Sequence, residues 1–269
     1  MAARTPYKRR YVIVGAACLA VGAASYGLVR FYPALGPVAG TITPQLYVDS
    51  LPGVGIPPHG RFVLVDASSA RLYMIEDGRV ADSMKVIVGK PDTPTPALKS
   101  NLNYETLNPY WHVTSDLAKT IIAPRVLQDG DAYLTHQGYE VVSAFGPEGH
   151  VIPPDSIDWK AVAAGNAQIL VRQQPGPANS LGRFKFDLPN GDGIYLHDTP
   201  KKELFAQDKR DLSHGCVRLE DAPRLARWLL GKDPPEVSVP EQNVPLPKPV
   251  PITISYLDAS SQMKLALLQ

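Results

Sequence analysis

Arg61-Phe62-Val63-Leu64-Val65-Asp66 is followed by Arg71-Leu72-Tyr73-Met74-Ile75, and a Glu76-Asp77-Gly78 turn leads into Arg79-Val80. The first run is short, apolar and rich in β-branched residues. The second ends at an Asp-Gly pair of the kind that closes hairpins. Met84-Lys85-Val86-Ile87-Val88 then alternates again. Strands joined by such turns predict antiparallel pairing. Strand character returns at Arg183-Phe184-Lys185-Phe186 and at Ile194-Tyr195-Leu196-His197, on either side of the turn-like Pro189-Asn190-Gly191-Asp192-Gly193, and a last strand is expected at Ile252 to Tyr256.

Between these groups, Pro94 to Gly182 shows little strand character. Ser115 is a candidate cap for a short helix through Ala118 and Ile121, Pro124 for the start of a second, and Asp158 to Ala163 for a third. Roughly ninety residues is far more than a connection between paired strands requires, so the stretch reads as an insertion on a β core, at about residues 97–181. It is either a lid or a separate small domain. A helix is expected from Ala222 to Leu230. Asp221 caps it, Pro223 suits its first turn, Gly231 stops it, and Leu219, Ala222, Leu225, Ala226 and Leu229 share a face.

The chain has 269 residues, 44% of them hydrophobic, and a formal net charge of +1. That apolar content is enough for a sizeable core, and the near-neutral charge argues against nucleic acid as a partner. Its 27 prolines fit a strand-rich domain better than a helical bundle. Arg4, Lys8, Arg9 and Arg10 precede an uncharged stretch from Tyr11 to Val29, about long enough to span a bilayer. The expected organisation is a cytoplasmic basic segment (1–10), a signal anchor or cleaved signal peptide (11–29), a Pro/Gly-rich tether (30–58), a catalytic domain (59–258) and a short tail (259–269). The domain would then stand on the periplasmic side of the inner membrane, or be secreted to the periplasm.

Of the two cysteines, Cys18 lies in the apolar segment, so Cys216 is alone in the main domain. It sits in Ser213-His214-Gly215-Cys216-Val217-Arg218-Leu219, just before the capped helix. A thiol attacks well only as thiolate, and His214, Arg218 and a nearby helix N-terminus all favour that form. Gly215 permits close approach of a substrate, and main-chain N–H groups around Gly215 and Cys216 suit a developing oxyanion. His197 lies nineteen positions before Cys216 and is followed by Asp198, whose carboxylate or backbone carbonyl completes a nucleophile–base–orienter set. The plain alternatives are an inert buried thiol, a core histidine, and aromatic side chains such as Trp111 acting as anchors. Zinc is disfavoured, since there is neither a Cys-x-x-Cys pair nor a His-Glu-x-x-His motif.

Ser213 to Arg218 resembles the signature of the L,D-transpeptidases, which make or trim peptidoglycan cross-links. Val88-Gly89-Lys90-Pro91 with Thr95-Pro96 is similar to that family's glycine-lysine and threonine-proline loop. Asn108-Pro109-Tyr110-Trp111, Gln174 to Phe186 and Ile194 to Pro200 resemble a larger, insert-containing subgroup. The resemblance runs from about Arg61 to Leu257. It implies a mainly β domain, a sandwich or partly closed barrel, with flanking helices and an inserted helical lid. It implies Cys216 as nucleophile, His197 as general base, the Asp198 carbonyl as its orienter, and Ser213, His214 and Gly215 as the loop shaping the oxyanion site. Arg218, Tyr195 and Trp111 are the expected substrate contacts. The implied partners are peptidoglycan stem peptides. The implied reaction is release of terminal D-alanine with 3→3 cross-linking, with neither metal nor organic cofactor. The alternatives are an L,D-carboxypeptidase or cross-link hydrolase, attachment of a protein to the wall, and a non-catalytic wall-binding protein.

Overall fold

The computed structural model describes residue 51 and residues 53–268. The strands are β1 (Arg61–Asp66), β2 (Arg71–Glu76), β3 (Arg79–Gly89), β4 (Leu98–Leu107), β5 (Trp111–Val113), β6 (Tyr139–Val142), β7 (Val151–Ile152), β8 (Leu170–Gln173), β9 (Phe184–Asp187), β10 (Tyr195–His197), β11 (Asp211–Ser213), β12 (Val217–Leu219) and β13 (Gln242–Ser255). The main sheet runs β11-β3-β12-β10-β9-β4-β13-β1-β2, and β2 also pairs with β3. That last pairing closes the sheet into a barrel, with β11 appended to the outside of β3. Closure removes the unpaired edges that an open sheet would expose.

Strand β1 explains its own apolar run, because it is buried on both faces. Val63 and Val65 point into the barrel with Met74, Val86, Phe186, Leu196 and Leu225. Phe62 and Leu64 point outward into a second cluster with Leu51, Val54, Ile56, Leu257 and Leu265. Residues 51–58, where the sequence predicts tether, therefore bury three side chains against the barrel. Where it predicts a tail, Ala259–Ala266 is a helix capped by the Asp258 carboxylate, which accepts the Ser261 N–H at 2.7 Å.

Strand β13 begins ten residues before the expected Ile252, inside the proline-rich stretch. It pairs with β4 over most of its length but with β1 only from Ile252 to Ser255. Its proline-bearing half thus has one unpaired side, where a missing N–H costs nothing. The Ala222–Leu230 helix matches its expectation at both ends. Asp221 accepts the Arg224 N–H, Pro223 lies in the first turn, and Gly231 closes at φ +72°.

The insertion carries strands as well as helices. β4 belongs to the barrel, and β5-β8-β6-β7 form a separate four-stranded sheet. Against it pack the helical segments Ser115–Leu117, Ala123–Asp129, Ala132–Gln137 and Trp159–Ala164, around a core of their own that includes Val113, Ile122, Leu134, Trp159 and Val171. Thr114, one residue before the expected Ser115, makes the first cap. The Tyr11–Val29 segment lies outside the described residues. Among the described residues no helix is long and apolar enough to cross a membrane.

Candidate active site

Cys216 lies in the three-residue loop between β11 and β12. Ser213 Oγ donates to the Cys216 carbonyl at 2.6 Å and accepts the Gly215 N–H at 3.1 Å. Thr95 Oγ1 donates to the Gly215 carbonyl at 2.6 Å and accepts the Gly89 N–H at 2.9 Å, while the Lys90 N–H reaches the Ser213 carbonyl at 3.0 Å. Gly215 holds φ +116°, which side-chain-bearing residues rarely adopt. The Gly89–Thr95 loop and the cysteine loop are thus one hydrogen-bonded unit. Within it the Gly215 N–H is bonded to Ser213 Oγ, while the Cys216 carbonyl accepts from the same hydroxyl.

His197 ends β10. It is 4% exposed, and its Nδ1 meets the Asp198 carbonyl at 2.5 Å. A carbonyl only accepts, so Nδ1 carries the proton and Nε2 keeps its lone pair. The Asp198 carboxylate is engaged elsewhere: it accepts from Lys202 Nζ at 2.7 Å and from the Arg183 N–H at 3.0 Å. Of the two orienters open in the sequence, the carbonyl is the one against the ring. Gly182, at φ +60°, makes room for that carboxylate, because a Cβ there would lie 2.3 Å from Asp198 Oδ2.

Strand register sets His197 between two cations, Lys185 on β9 and Arg218 on β12. Burial first, then Arg218, depress the His197 pKa to about 3, against the opposing pull of Asp198. At neutral pH His197 is therefore an uncharged imidazole. Burial also raises the Cys216 thiol, outweighing hydrogen bonds from Tyr195 and the field of Arg218 and Lys185. The sequence shows neighbours that favour the thiolate; in the fold desolvation outweighs the positive field, and the resting pair is thiol and neutral imidazole. His214 is exposed, and partial desolvation and Lys90 lower its pKa.

The other expected residues converge unequally. Arg218 is half-buried, and its Nε finds no partner among the described residues. Tyr195 lies edge-on to His197 with ring centroids 5.7 Å apart, and its phenol interacts with Cys216 and with Trp111 of the insertion. Burial holds the Tyr195 phenol neutral. Trp111 is half-buried at the edge of the insertion core and 6.2 Å from Tyr139. Sequence reasoning did not single out Thr95, Gly182 or Lys185 for these positions. The alternation of Phe184-Lys185-Phe186 opposite Tyr195-Leu196-His197 was the available signal for Lys185, since facing residues on paired strands share a side. Among the described residues, no group of three or more His, Cys, Asp or Glu side chains is placed to hold a metal ion.

The buried histidine thus ends one barrel strand, and the half-buried cysteine lies in the loop leading into the neighbouring strand. Residues 60–251 match the family described as the L,D-transpeptidase catalytic domain, and the chain belongs to that family. A Haemophilus influenzae protein, named provisionally as an L,D-transpeptidase, is 35% identical over 175 residues, which are 65% of this chain and 35% of that protein. The match thus spans about a third of the curated relative's length. Solved structures show looser likeness. An L,D-transpeptidase from Mycobacterium smegmatis has TM-score 0.36 and 17% identity, covering 72% of this chain and 58% of that one. The catalytic domain of an Enterococcus faecium L,D-transpeptidase acylated by ertapenem has TM-score 0.35 and 15% identity, covering 73% and 98%. Family membership rests on the sequence match.

Proposed function

We propose that the chain forms 3→3 peptidoglycan cross-links through a Cys216 acyl-enzyme. The observation that supports this most is His197: buried, uncharged, its proton fixed on Nδ1 by the Asp198 carbonyl, on the strand beside the one that Cys216 leads into. Nε2 takes the thiol proton as sulfur attacks the carbonyl of the third stem residue. Collapse of the tetrahedral intermediate returns that proton to the departing nitrogen, and D-alanine leaves. An amine from a second stem then attacks the thioester, His197 takes its proton, and the Cys216 sulfur is released and reprotonated. Because thiol and imidazole both rest uncharged, proton loss accompanies attack rather than preceding it. The Cys216 N–H is the loop donor we assign to the oxyanion, the Gly215 N–H being held by Ser213. Arg218 supplies positive field beside the reacting sulfur.

We assign the insertion the role of a lid. The approach of Trp111 to Tyr195 supports this, since it brings the insertion to the residue beside the nucleophile. A covered thioester meets less water and favours an amine acceptor. We place the enzyme in the cell envelope, anchored through Tyr11–Val29 or released by cleavage there. Protease added to the outer face of the inner membrane should degrade the catalytic domain, and a cytosolic, protected domain would refute the placement. The reaction is tested by incubating pure protein with tetrapeptide-containing muropeptides and weighing the products. Dimers with loss of D-alanine support cross-linking, tripeptide alone assigns water as acceptor, and unchanged substrate overturns the proposal.

A further inference from the structure

Strands β10 and β12 run parallel, and their pairing ends at His197 and Arg218. One strand carries the base, and the other leads on from the nucleophile. Just past the last paired residues lie Asp198 on one side and Leu219 and Glu220 on the other. Lys202 bridges them. Its ammonium donates to Asp198 Oδ1 at 2.7 Å, to the Glu220 carbonyl at 2.8 Å and to the Leu219 carbonyl at 3.2 Å. An ammonium has three N–H groups, and here each has an acceptor. Lys202 opens the short helical turn Lys202–Ala206. That turn is fastened to the barrel: the Phe205 side chain is buried, and the Phe205 carbonyl accepts from Lys85 Nζ of β3 at 3.0 Å.

A half-exposed lysine four residues from an aspartate is ordinarily a surface ion pair of little consequence. Its other two bonds set this one apart, because both carbonyls belong to the neighbouring chain segment. The acceptor matters as well, since the Asp198 carbonyl meets His197 Nδ1. A carbonyl points where the torsions of its own residue send it. Those of Asp198 are restrained by its N–H on the Phe184 carbonyl at 2.8 Å, by the Arg183 N–H on Oδ2 at 3.0 Å, and by Lys202 on Oδ1. We propose that Lys202 is a positioning residue for the base. Through the Asp198 carboxylate it keeps the Asp198 carbonyl on His197 Nδ1, and through the Leu219 and Glu220 carbonyls it locks the end of the base's strand to that of the strand beside it. Without the ammonium, the carbonyl is free to leave the ring. The imidazole then exchanges tautomers, and the lone pair on Nε2 that takes the thiol proton is present only part of the time.

This deepens the proposed acyl-enzyme with His197 as base, and the test keeps the two apart. In full-length protein isotopically labelled at the histidine ring nitrogens, the His197 signals are identified by their loss in His197→Ala. The wild type should show one tautomer with the proton on Nδ1, and Lys202→Met a mixture; an unmixed Nδ1 tautomer in the variant overturns the assignment. Lys202→Met should also lower the maximal rate of Cys216 acylation by a carbapenem about tenfold at unchanged half-saturating concentration, as expected for a displaced base. Asp198→Asn keeps the backbone carbonyl, removes the charge that Lys202 holds, and should cost a similar factor. The double variant should be within about twofold of the slower single one, because residues acting through one contact are not additive. If Lys202→Met does not fold, Lys202→Gln, which keeps N–H donors but no charge, carries the same expectations. A wild-type maximal rate in a folded variant, a loss confined to half-saturation, or losses that multiply in the double variant overturn the positioning role. Absence of any adduct on wild-type Cys216 would sink the acyl-enzyme instead, and the tautomer measurement would still decide for or against Lys202.

Discussion

Two histidines flank Cys216, and the regions that hold them differ in almost every physical respect. His197 closes a barrel strand, buried, with one ring nitrogen bonded to the Asp198 carbonyl and cations on both sides in the sheet. His214 stands exposed in the cysteine loop near Lys90. The sequence reading already names His197 as the base and places His214 in the loop beside the nucleophile. The fold adds a physical reason for that order: position in the chain brings His214 near, but burial and a fixed tautomer suit His197 to the proposed role of base. The same contrast explains why the site needs no thiolate at rest.

The sharpest way to break this comparison is to remove each ring in turn. His197→Ala should slow acylation of Cys216 by on the order of 10²–10⁴-fold, the usual loss for a general base; near-normal acylation in a folded variant would transfer the role to His214. Gly182→Ala acts on His197 at one remove, by pushing the Asp198 carboxylate from a site only 2.3 Å from the new Cβ, at φ +60°. It should slow acylation by about tenfold with little change in carbapenem KM, since small misplacements of catalytic groups are costly. Wild-type kcat in that variant would show that the Asp198 backbone is held without its carboxylate. His214→Ala, by contrast, should change the acylation rate by less than about threefold; a larger drop would mean that the exposed ring takes part.

Glu105 sharpens the role of the hydrogen bond, because it is as buried as His197 but partnerless. Both its carboxylate oxygens lack a partner among the described residues, and burial raises its pKa to about 7. The raised folded value means stability from this group is fully present below the unfolded pKa near 4.5 and falls as pH rises towards 7. The change is on the order of 3 kcal/mol. His197 runs the other way: with a folded pKa of about 3, its contribution is present above pH 6.5 and lost as pH falls. Urea midpoints of Glu105→Gln between pH 4.5 and 7 should therefore decline less steeply than those of the wild type. Parallel curves would mean that Glu105 is solvated after all.

Much of the barrel is legible in the sequence, and the reasons are local. Asp77-Gly78 marks a hairpin, and Asp221, Pro223 and Gly231 mark both ends of one helix. What escapes is short or non-local. β5 and β7 have three and two residues, too few for a period to emerge, so the insertion's sheet reads as loop. The β1–β13 and β3–β12 pairings that the barrel also needs leave no trace in any one stretch. Prolines conceal the first half of β13, because the sequence does not say that one of its sides is free. At the site, Cys216 and His197 are visible as residue types at a telling spacing, and the resemblance names their roles. That His197 is uncharged, that the Asp198 carbonyl rather than its carboxylate meets the ring, and that Gly215 spends its N–H on Ser213 all depend on burial and register, which only the fold supplies.

The rate of Cys216 acylation by a carbapenem, measured against pH in the wild type and in His214→Ala, tests the uncharged base most directly. With the His197 pKa near 3, kcat/KM should hold from pH 7.5 down to about 5 in both proteins, with no ionisation near 6.5. An acid limb lying below pH 6.5 that vanishes in His214→Ala would contradict it and make the exposed histidine, whose pKa is lowered, the base.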